Sequence, residues 1–314
     1  LTDMNGVVLY SLITDNSAAV ALNTADIAIN TAAIAALPPA GLSAAQVNTE
    51  IYASRWSLQT TSQQSGWQCM AWSSDLNLYI ILASNAAMTS PDGRNWTNRT
   101  VGNKAWEGVV WSPDLSIFCA IASGSTNLIQ TSPDGITWTA RTSAANQFWR
   151  DIAWSSGLTL FCGVSKDGTN RVTTSPDGTT WTLRSASEAN AWQSVTYSED
   201  LTLFCAVSSD GTNRVMTSPD GITWTARASA AAKEWKNITW SPELGIFCAV
   251  ATNTTNERIM TSSDGITWTL QVSQLGGTRM RHVVWSPELY SFASVSYDGT
   301  TANQVQITEA GTCC

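Results

Sequence analysis

Residues 106–141 read WEGVVWSPDLSIFCAIASGSTNLIQTSPDGITWTAR, and this stretch decides the fold. It breaks into four short pieces: Trp106 to Trp111, Leu115 to Ala122, Ile129 to Ser132 and Trp138 to Arg141. Ser-Pro-Asp-Leu separates the first two, and Ser-Pro-Asp-Gly separates the last two. Pro presets φ, Asp bonds its own backbone and Gly accepts a positive φ, so both tetrapeptides are turn formers. No helical apolar period runs through the stretch, so the pieces read as strands A to D.

The phrase recurs along the chain of 314 residues. Units begin at Trp67, Trp106, Trp149, Trp192, Trp235 and Met280, in steps of 39, 43, 43, 43 and 45 residues. A second tryptophan follows at Trp72, Trp111, Trp154, Trp240 and Trp285, with Tyr197 in the fourth unit. A third follows at Trp96, Trp138, Trp181, Trp224 and Trp268. Six repeats of four short strands predict an all-β, six-bladed β-propeller. Blades wedged between neighbours bury both faces, so packing accounts for most of the 16 tryptophans. Five residues apart, Trp106 and Trp111 are expected on opposite faces of strand A.

The ends of the repeat predict closure. The last unit stops before a Trp-Thr strand, and Trp56-Ser57-Leu58-Gln59 upstream matches Trp268-Thr269-Leu270-Gln271. The N-terminal strand is therefore expected to complete the last blade and leave no open edge. The domains read as residues 52–314 for the propeller and 1–51 for an attachment segment.

Composition narrows the function. With 16 Lys+Arg against 24 Asp+Glu the net charge is −8, and only 13% of residues are charged. An acidic, charge-poor chain is poorly suited to a phosphate backbone, so no nucleic-acid partner is expected. No apolar run approaches ~18 residues, so no membrane insertion is expected. A single histidine, His282, argues against His-based metal sites and triads, and no cofactor or metal is expected.

The turns at Ser90 to Trp96, Ser132 to Trp138, Ser175 to Trp181, Ser218 to Trp224 and Ser262 to Trp268 resemble the Asp-box of sialidase-like propellers, one residue shorter. The resemblance implies structural roles for Asp92, Asp134, Asp177, Asp220 and Asp264. The sixth box has Ala310 at the Asp position. In the N-terminal segment, Val20, Asn23, Ile27, Asn30, Ile34 and Leu37 form a heptad seam. Asn at successive d positions resembles the trimeric coiled coils of phage tail fibres and bacterial adhesins. A lone amphipathic helix packed on the propeller is the alternative. Pro38-Pro39 ends the helix, and Ser43 caps a short one after it. The implied protein is a homotrimeric virion fibre, assembled in the host cytoplasm.

Cys119, Cys162, Cys205 and Cys248 fill one slot of strand B, with Ile80 and Ala293 in the other two blades. They read as small buried hydrophobes. Cys69, Cys313 and Cys314 lie outside the slot; a disulfide among them stays open, and the spacing fits no zinc pattern.

A sialidase-like enzyme would need an arginine clamp, a Tyr–Glu pair and an Asp acid. Arg99, Arg141, Arg184 and Arg227 instead repeat after the Trp-Thr pair, and Arg171, Arg214 and Arg258 repeat near strand C. Residues repeated blade after blade read as structural. Asp167-Gly168-Thr169 and Asp210-Gly211-Thr212 read as hairpin turns, with calcium ligation as the alternative.

Function belongs where repeats differ. The residue after each first Trp runs Gln68, Glu107, Arg150, Gln193, Lys236, Arg281, and the next runs Cys69, Gly108, Asp151, Ser194, Asn237, His282. These positions are expected to ring the channel mouth on the face of the variable D–A and B–C loops. The candidate ligand residues are Trp106, Glu107, Trp149, Arg150, Asp151, Trp192, Trp235, Lys236, Arg281 and His282. Mixed polar groups beside exposed aromatic edges would suit a glycan. The expected function is non-enzymatic adhesion of a phage fibre to a host-surface glycan or protein, with the N-terminal segment binding other virion proteins. A structural virion component (head fibre, decoration or tail protein) is the alternative, and a sialidase-like glycosidase is a third reading.

Overall fold

The computed structural model describes residues 66–124, 126–252, 257–272, 279–287, 290–296 and 305–307. The heptad seam, the Trp56 to Gln59 strand, the sixth turn at Ala310, and Cys313 and Cys314 lie outside them. The chain divides into the units Leu1–Leu58 and Gln59–Cys314, and every described residue belongs to the second.

The described residues form five four-stranded sheets and one three-stranded sheet, each an antiparallel meander in sequence order. The fourth sheet is typical: Trp192–Ser198, Leu203–Ser208, Val215–Ser218 and Thr225–Arg227. The last has Met280–Ser286, Ser291–Ser296 and Val305–Ile307.

The two tryptophans of strand A share a face, contrary to the parity expected from their spacing. The first strand carries a β-bulge at the residue after the first aromatic position in five sheets. In the fourth sheet Trp192 pairs with Ser208 but Ser194 pairs with Val207, so Gln193 is the extra residue. A bulge adds one residue and reverses the alternation beyond it. Trp192, Val195 and Tyr197 therefore line up on one face opposite Ser208, Ala206 and Phe204. The other face carries Ser194, Thr196, Cys205 and Val207.

Each sheet thus has a large face and a small one, and the large face packs on the small face before it. Trp192, Val195, Tyr197 and Phe204 form one core cluster with Ala153, Cys162 and Val164 of the preceding sheet. The repeat cysteines sit on the small face, where Cys119, Cys162, Cys205 and Cys248 are buried and unbridged. Burial pushes the thiols of Cys119, Cys162 and Cys205 well above their usual range.

Polar links fix neighbouring sheets. The indole Nε1 of Trp111 donates to Asp75 at 3.0 Å, Trp154 to Asp114 at 2.9 Å, Trp240 to Asp200 at 3.2 Å and Trp285 to Glu243 at 2.6 Å. The fourth sheet breaks the pattern. Tyr197 replaces the tryptophan, and Gly157 stands where the preceding sheet needs the acid. There Glu199 reaches back instead and accepts the N–H groups of Ser156 at 2.8 Å and Gly157 at 3.3 Å.

The five Ser-Pro/Ser-Asp-Gly turns share one construction. In the fourth, Ser218 Oγ donates to Asp220 at 2.9 Å, and one Asp220 oxygen accepts Ile222 N–H at 2.8 Å and Thr223 N–H at 2.7 Å. Trp224 Nε1 then donates to Gly221 O at 3.1 Å. Gly221 has φ 70°, and a Cβ there would lie 2.9 Å from Leu160 of the preceding sheet, so glycine is required twice over. The repeated arginines are structural as expected: Nε of Arg99, Arg141, Arg184 and Arg227 donates to Thr89, Thr131, Thr174 and Thr217 on the neighbouring strand.

Candidate functional site

The bulge residues are Glu107, Arg150, Gln193, Lys236 and Arg281. Bulges re-aim side chains, and here they turn one residue from each sheet toward a common centre. With Gln68 of the first sheet, these residues line one cavity of about 80 Å³. The adjoining positions Cys69, Gly108, Asp151, Asn237 and His282 line it too, so every sheet contributes.

The bulge residues are bonded from sheet to sheet. Arg150 Nη1 donates to Glu107 at 2.8 Å, and its Nε donates to Gln193 Oε1 at 3.4 Å. Lys236 Nζ donates to the same Gln193 oxygen at 2.8 Å. Arg281 donates to Gln68 Oε1 at 2.6 Å, which links the last sheet to the first. Ser123 Oγ supports Glu107 at 3.1 Å.

A second course of bonds runs through the next position. Ser194 Oγ donates to Asp151 at 2.6 Å and accepts Asn237 Nδ2 at 3.1 Å, while Asn237 Oδ1 accepts Val283 N–H at 2.9 Å. Gly108 keeps this course open, because a Cβ there would lie 3.0 Å from Asp151 Cα.

The electrostatics are those of crowded charge. Burial raises the Asp151 carboxyl to about 6, against hydrogen bonds from Ser194, Ile152 and Val195 and the charge of Lys236. Burial also lowers the Lys236 ammonium to about 8, helped by Arg150 and Arg281 and opposed by Glu107 and Asp151. His282 is open to the cavity, yet its surroundings, then Arg281 and Lys236, hold it below the usual imidazole range, at about 4. At neutral pH His282 is an uncharged donor and acceptor.

Six of the ten candidate residues meet here: Glu107, Arg150, Asp151, Lys236, Arg281 and His282. The other four do not. Trp106, Trp149, Trp192 and Trp235 are completely buried, and among the described residues no tryptophan, tyrosine or phenylalanine lines the cavity, so the expected exposed aromatic edges are absent from that lining. The physical reason is the bulge, which turns the tryptophan into the interface between sheets and its neighbour toward the centre. Each indole Nε1 is also used, bonding Gly102 O, Ala145 O, Glu188 O and Ala231 O of the loop before the strand.

The variable D–A and B–C loops are bonded to each other. Gln147 donates to Asp167 O and Asn170 O at 2.6 and 2.9 Å, and Arg214 donates to Lys233 O at 2.7 Å. Asp167 and Asp210 accept Phe148 N–H at 2.7 Å and Ala191 N–H at 2.6 Å, which gives both carboxylates a loop-closing role.

No protein-family model matches the sequence, and no curated protein does. Solved structures do share the architecture. Virginiamycin B lyase from Staphylococcus aureus is 10% identical with a TM-score of 0.64, covering 76% of this chain and 79% of that one. YCF48 bound to D1 peptide is 14% identical with a TM-score of 0.60, covering 81% and 80%. The β-propeller domain of Swd1 from Myceliophteria thermophila is 10% identical with a TM-score of 0.59, covering 81% and 86%. The fold is a β-propeller of four-stranded blades. At these identities the likeness shows the fold alone; the matched proteins include a lyase and a peptide-bound protein, so the propeller does not name a chemistry.

Proposed function

We propose that the chain is a binding module: a closed six-bladed propeller, its last blade completed by Trp56 to Gln59, carried on a trimerising N-terminal segment of a virion fibre. The variable face would attach to a host-surface glycan without catalysis. One observation supports this most. The positions that differ from blade to blade, set in a frame that repeats, are the ones the bulges turn into a shared cavity. A repeating scaffold whose varied strand positions converge on one cavity is the arrangement expected of a binding site. Trimer display would multiply a weak single-site affinity through avidity.

Glycan-array binding by the full chain tests this reading. A signal from host-surface glycans that disappears in Arg281→Ala is expected. Absence of any glycan signal, together with burial of the variable face against other virion proteins, would assign the chain to a structural virion role instead.

A further inference from the structure

One aromatic ring stands open beside the cavity rather than in it. Phe148 ends the third D–A loop, directly before the strand Trp149–Ser155, and is 44% exposed. Trp72 and Tyr290 are exposed too, but they border A–B turns on the other face. Among the described residues, Phe148 is therefore the exposed Phe, Tyr or Trp of the variable face. Its backbone is held on three sides. The N–H donates to Asp167 at 2.7 Å, and the carbonyl accepts Lys166 N–H at 3.1 Å and Ser165 Oγ at 3.0 Å. An antiparallel bridge joins it to Ser123 of the second sheet, whose Oγ donates to Glu107 in the cavity wall. Lys166 Nζ lies 4.6 Å from the centre of the ring, within cation–π range.

The fourth blade shows that the loop frame does not need this pair. There Ala191 stands for Phe148 and Ser209 for Lys166. Ala191 N–H still donates to Asp210 at 2.6 Å, and its carbonyl still accepts Ser209 N–H at 3.1 Å. Phe148 also belongs to none of the hydrophobic clusters among the described residues. Neither the frame nor the core calls for a large apolar side chain here, and leaving one in water forgoes the gain of burying it. The equivalent positions Ala105, Ala191 and Glu234 are small or charged, so the apolar surface is one ring wide. A docking patch for a protein would be several times larger. A single flat apolar face rimmed by Lys166, Ser123 and Glu107 matches a pyranose, which presents C–H groups on one face and hydroxyls around its edge.

We infer that Phe148 is a saccharide platform: one pyranose of a glycan stacks on its ring, and Lys166 donates to the oxygens at that sugar's edge. The partly exposed cation–π contact is weak, so the sugar displaces the ammonium from the ring at little cost. This rests on the variable face being a glycan-binding face.

Saturation-transfer NMR and isothermal titration of the full chain with a cello-oligosaccharide, a chito-oligosaccharide and an oligouronate test the inference. At least one should bind, with saturation strongest on the ring C–H protons of the sugar. Affinity should fall at least about tenfold in Phe148→Ala and Phe148→Leu and persist in Phe148→Tyr and Phe148→Trp. The melting temperature of Phe148→Ala should stay within about 2 °C, because Ala191 already occupies the same frame. Lys166→Met should weaken the oligouronate more than the neutral sugars. No binding of any of the three, or binding that Phe148→Ala and Phe148→Leu leave unchanged, overturns the inference. A glycan-array signal that is lost in Arg281→Ala but kept in Phe148→Ala also overturns it and leaves the glycan reading standing.

Discussion

Asp220 accepts two backbone N–H groups with one carboxylate oxygen while its Ser218 neighbour donates to it. Burial alone would raise this carboxyl, but the N–H bonds from Thr223 and Ile222 outweigh burial and hold it below its usual value. The same lowering holds at Asp92, Asp134, Asp177 and Asp264. A depressed folded pKa stabilises above the unfolded value, near 4, and the contribution is lost as pH falls through the folded one. Stability should therefore decline from about pH 4 downward. Asp220→Ala should cost about 1 kcal/mol at neutral pH, lowering the melting temperature by roughly 2–4 °C, and should flatten part of that acid slope. Thermal melts from pH 2 to 7 check both. Tyr197 supplies a second test at this scale. Its hydroxyl is buried without a hydrogen-bond partner, and a Cβ on Gly157 would lie 3.0 Å from Glu199. Gly157→Asp alone should destabilise by displacing Glu199. With Tyr197→Trp it should regain the indole–carboxylate link of the other blades, giving a favourable coupling of about 0.5–1 kcal/mol in a double-mutant cycle. Additive single effects would show that the link does not form.

At the scale of the strand, the bulge assigns every side chain of strand A its direction. Deleting Gln193 should rotate Trp192 onto the small face and cost several kcal/mol or the fold itself, whereas Gln193→Ala should cost about 1 kcal/mol. Circular dichroism melts of the two variants make the comparison. Here lies the boundary of what the sequence discloses. The repeat, the four-strand unit, the turn chemistry and the cavity positions from Glu107 to His282 all follow from residue spacing and turn types. The bulge does not, because alternation assumes no extra residue. The clue was present: two large aromatics five apart, repeated where one neighbouring face must be small, as Cys119, Cys162, Cys205 and Cys248 are. Without the bulge, alternation alone directs Trp106, Trp149, Trp192 and Trp235 to the wrong surroundings. The pairing of acid with indole across blades was equally hidden, since it links residues about 40 positions apart.

At the scale of the propeller, the described residues of the first and last sheets pack differently from those of the others. Val109, Ile152, Val195, Ile238 and Val283 are at most 8% exposed, but Met70 in the same position of the first blade is 58% exposed. Val284 and Val295 of the last blade are 42% and 44% exposed. First and last blades meet through Arg281 and Gln68 at the cavity while these apolar positions stay open. Exposed apolar contacts contribute little, so among the described residues this junction is the least cohesive. Native-state hydrogen exchange should show amides of Met280–Ser286 and Cys69–Ser73 exchanging before those of Trp149–Ser155 and Trp192–Ser198. Met70→Gln should change stability by less than about 0.5 kcal/mol, where Val195→Gln costs several. Equal protection around the ring would refute the weak junction.

The aspartate turns have one consequence that concerns time. Among aspartyl dipeptides Asp-Gly is the most prone to cyclise: the glycine nitrogen attacks the protonated side-chain carboxyl, water leaves to give a succinimide, and hydrolysis of that ring yields isoaspartate. In these turns the carboxylate is pinned by backbone N–H groups, and the nitrogens of Gly178 and Gly265 point to Ser175 and Ser262 at 2.8 Å. The reacting atoms are held apart in the folded chain and released in the unfolded one. Peptide mapping after prolonged warm incubation should find isoaspartate at Asp177 and Asp264 only in denatured samples. The turns that keep the blades in register thereby also set how slowly the polypeptide ages.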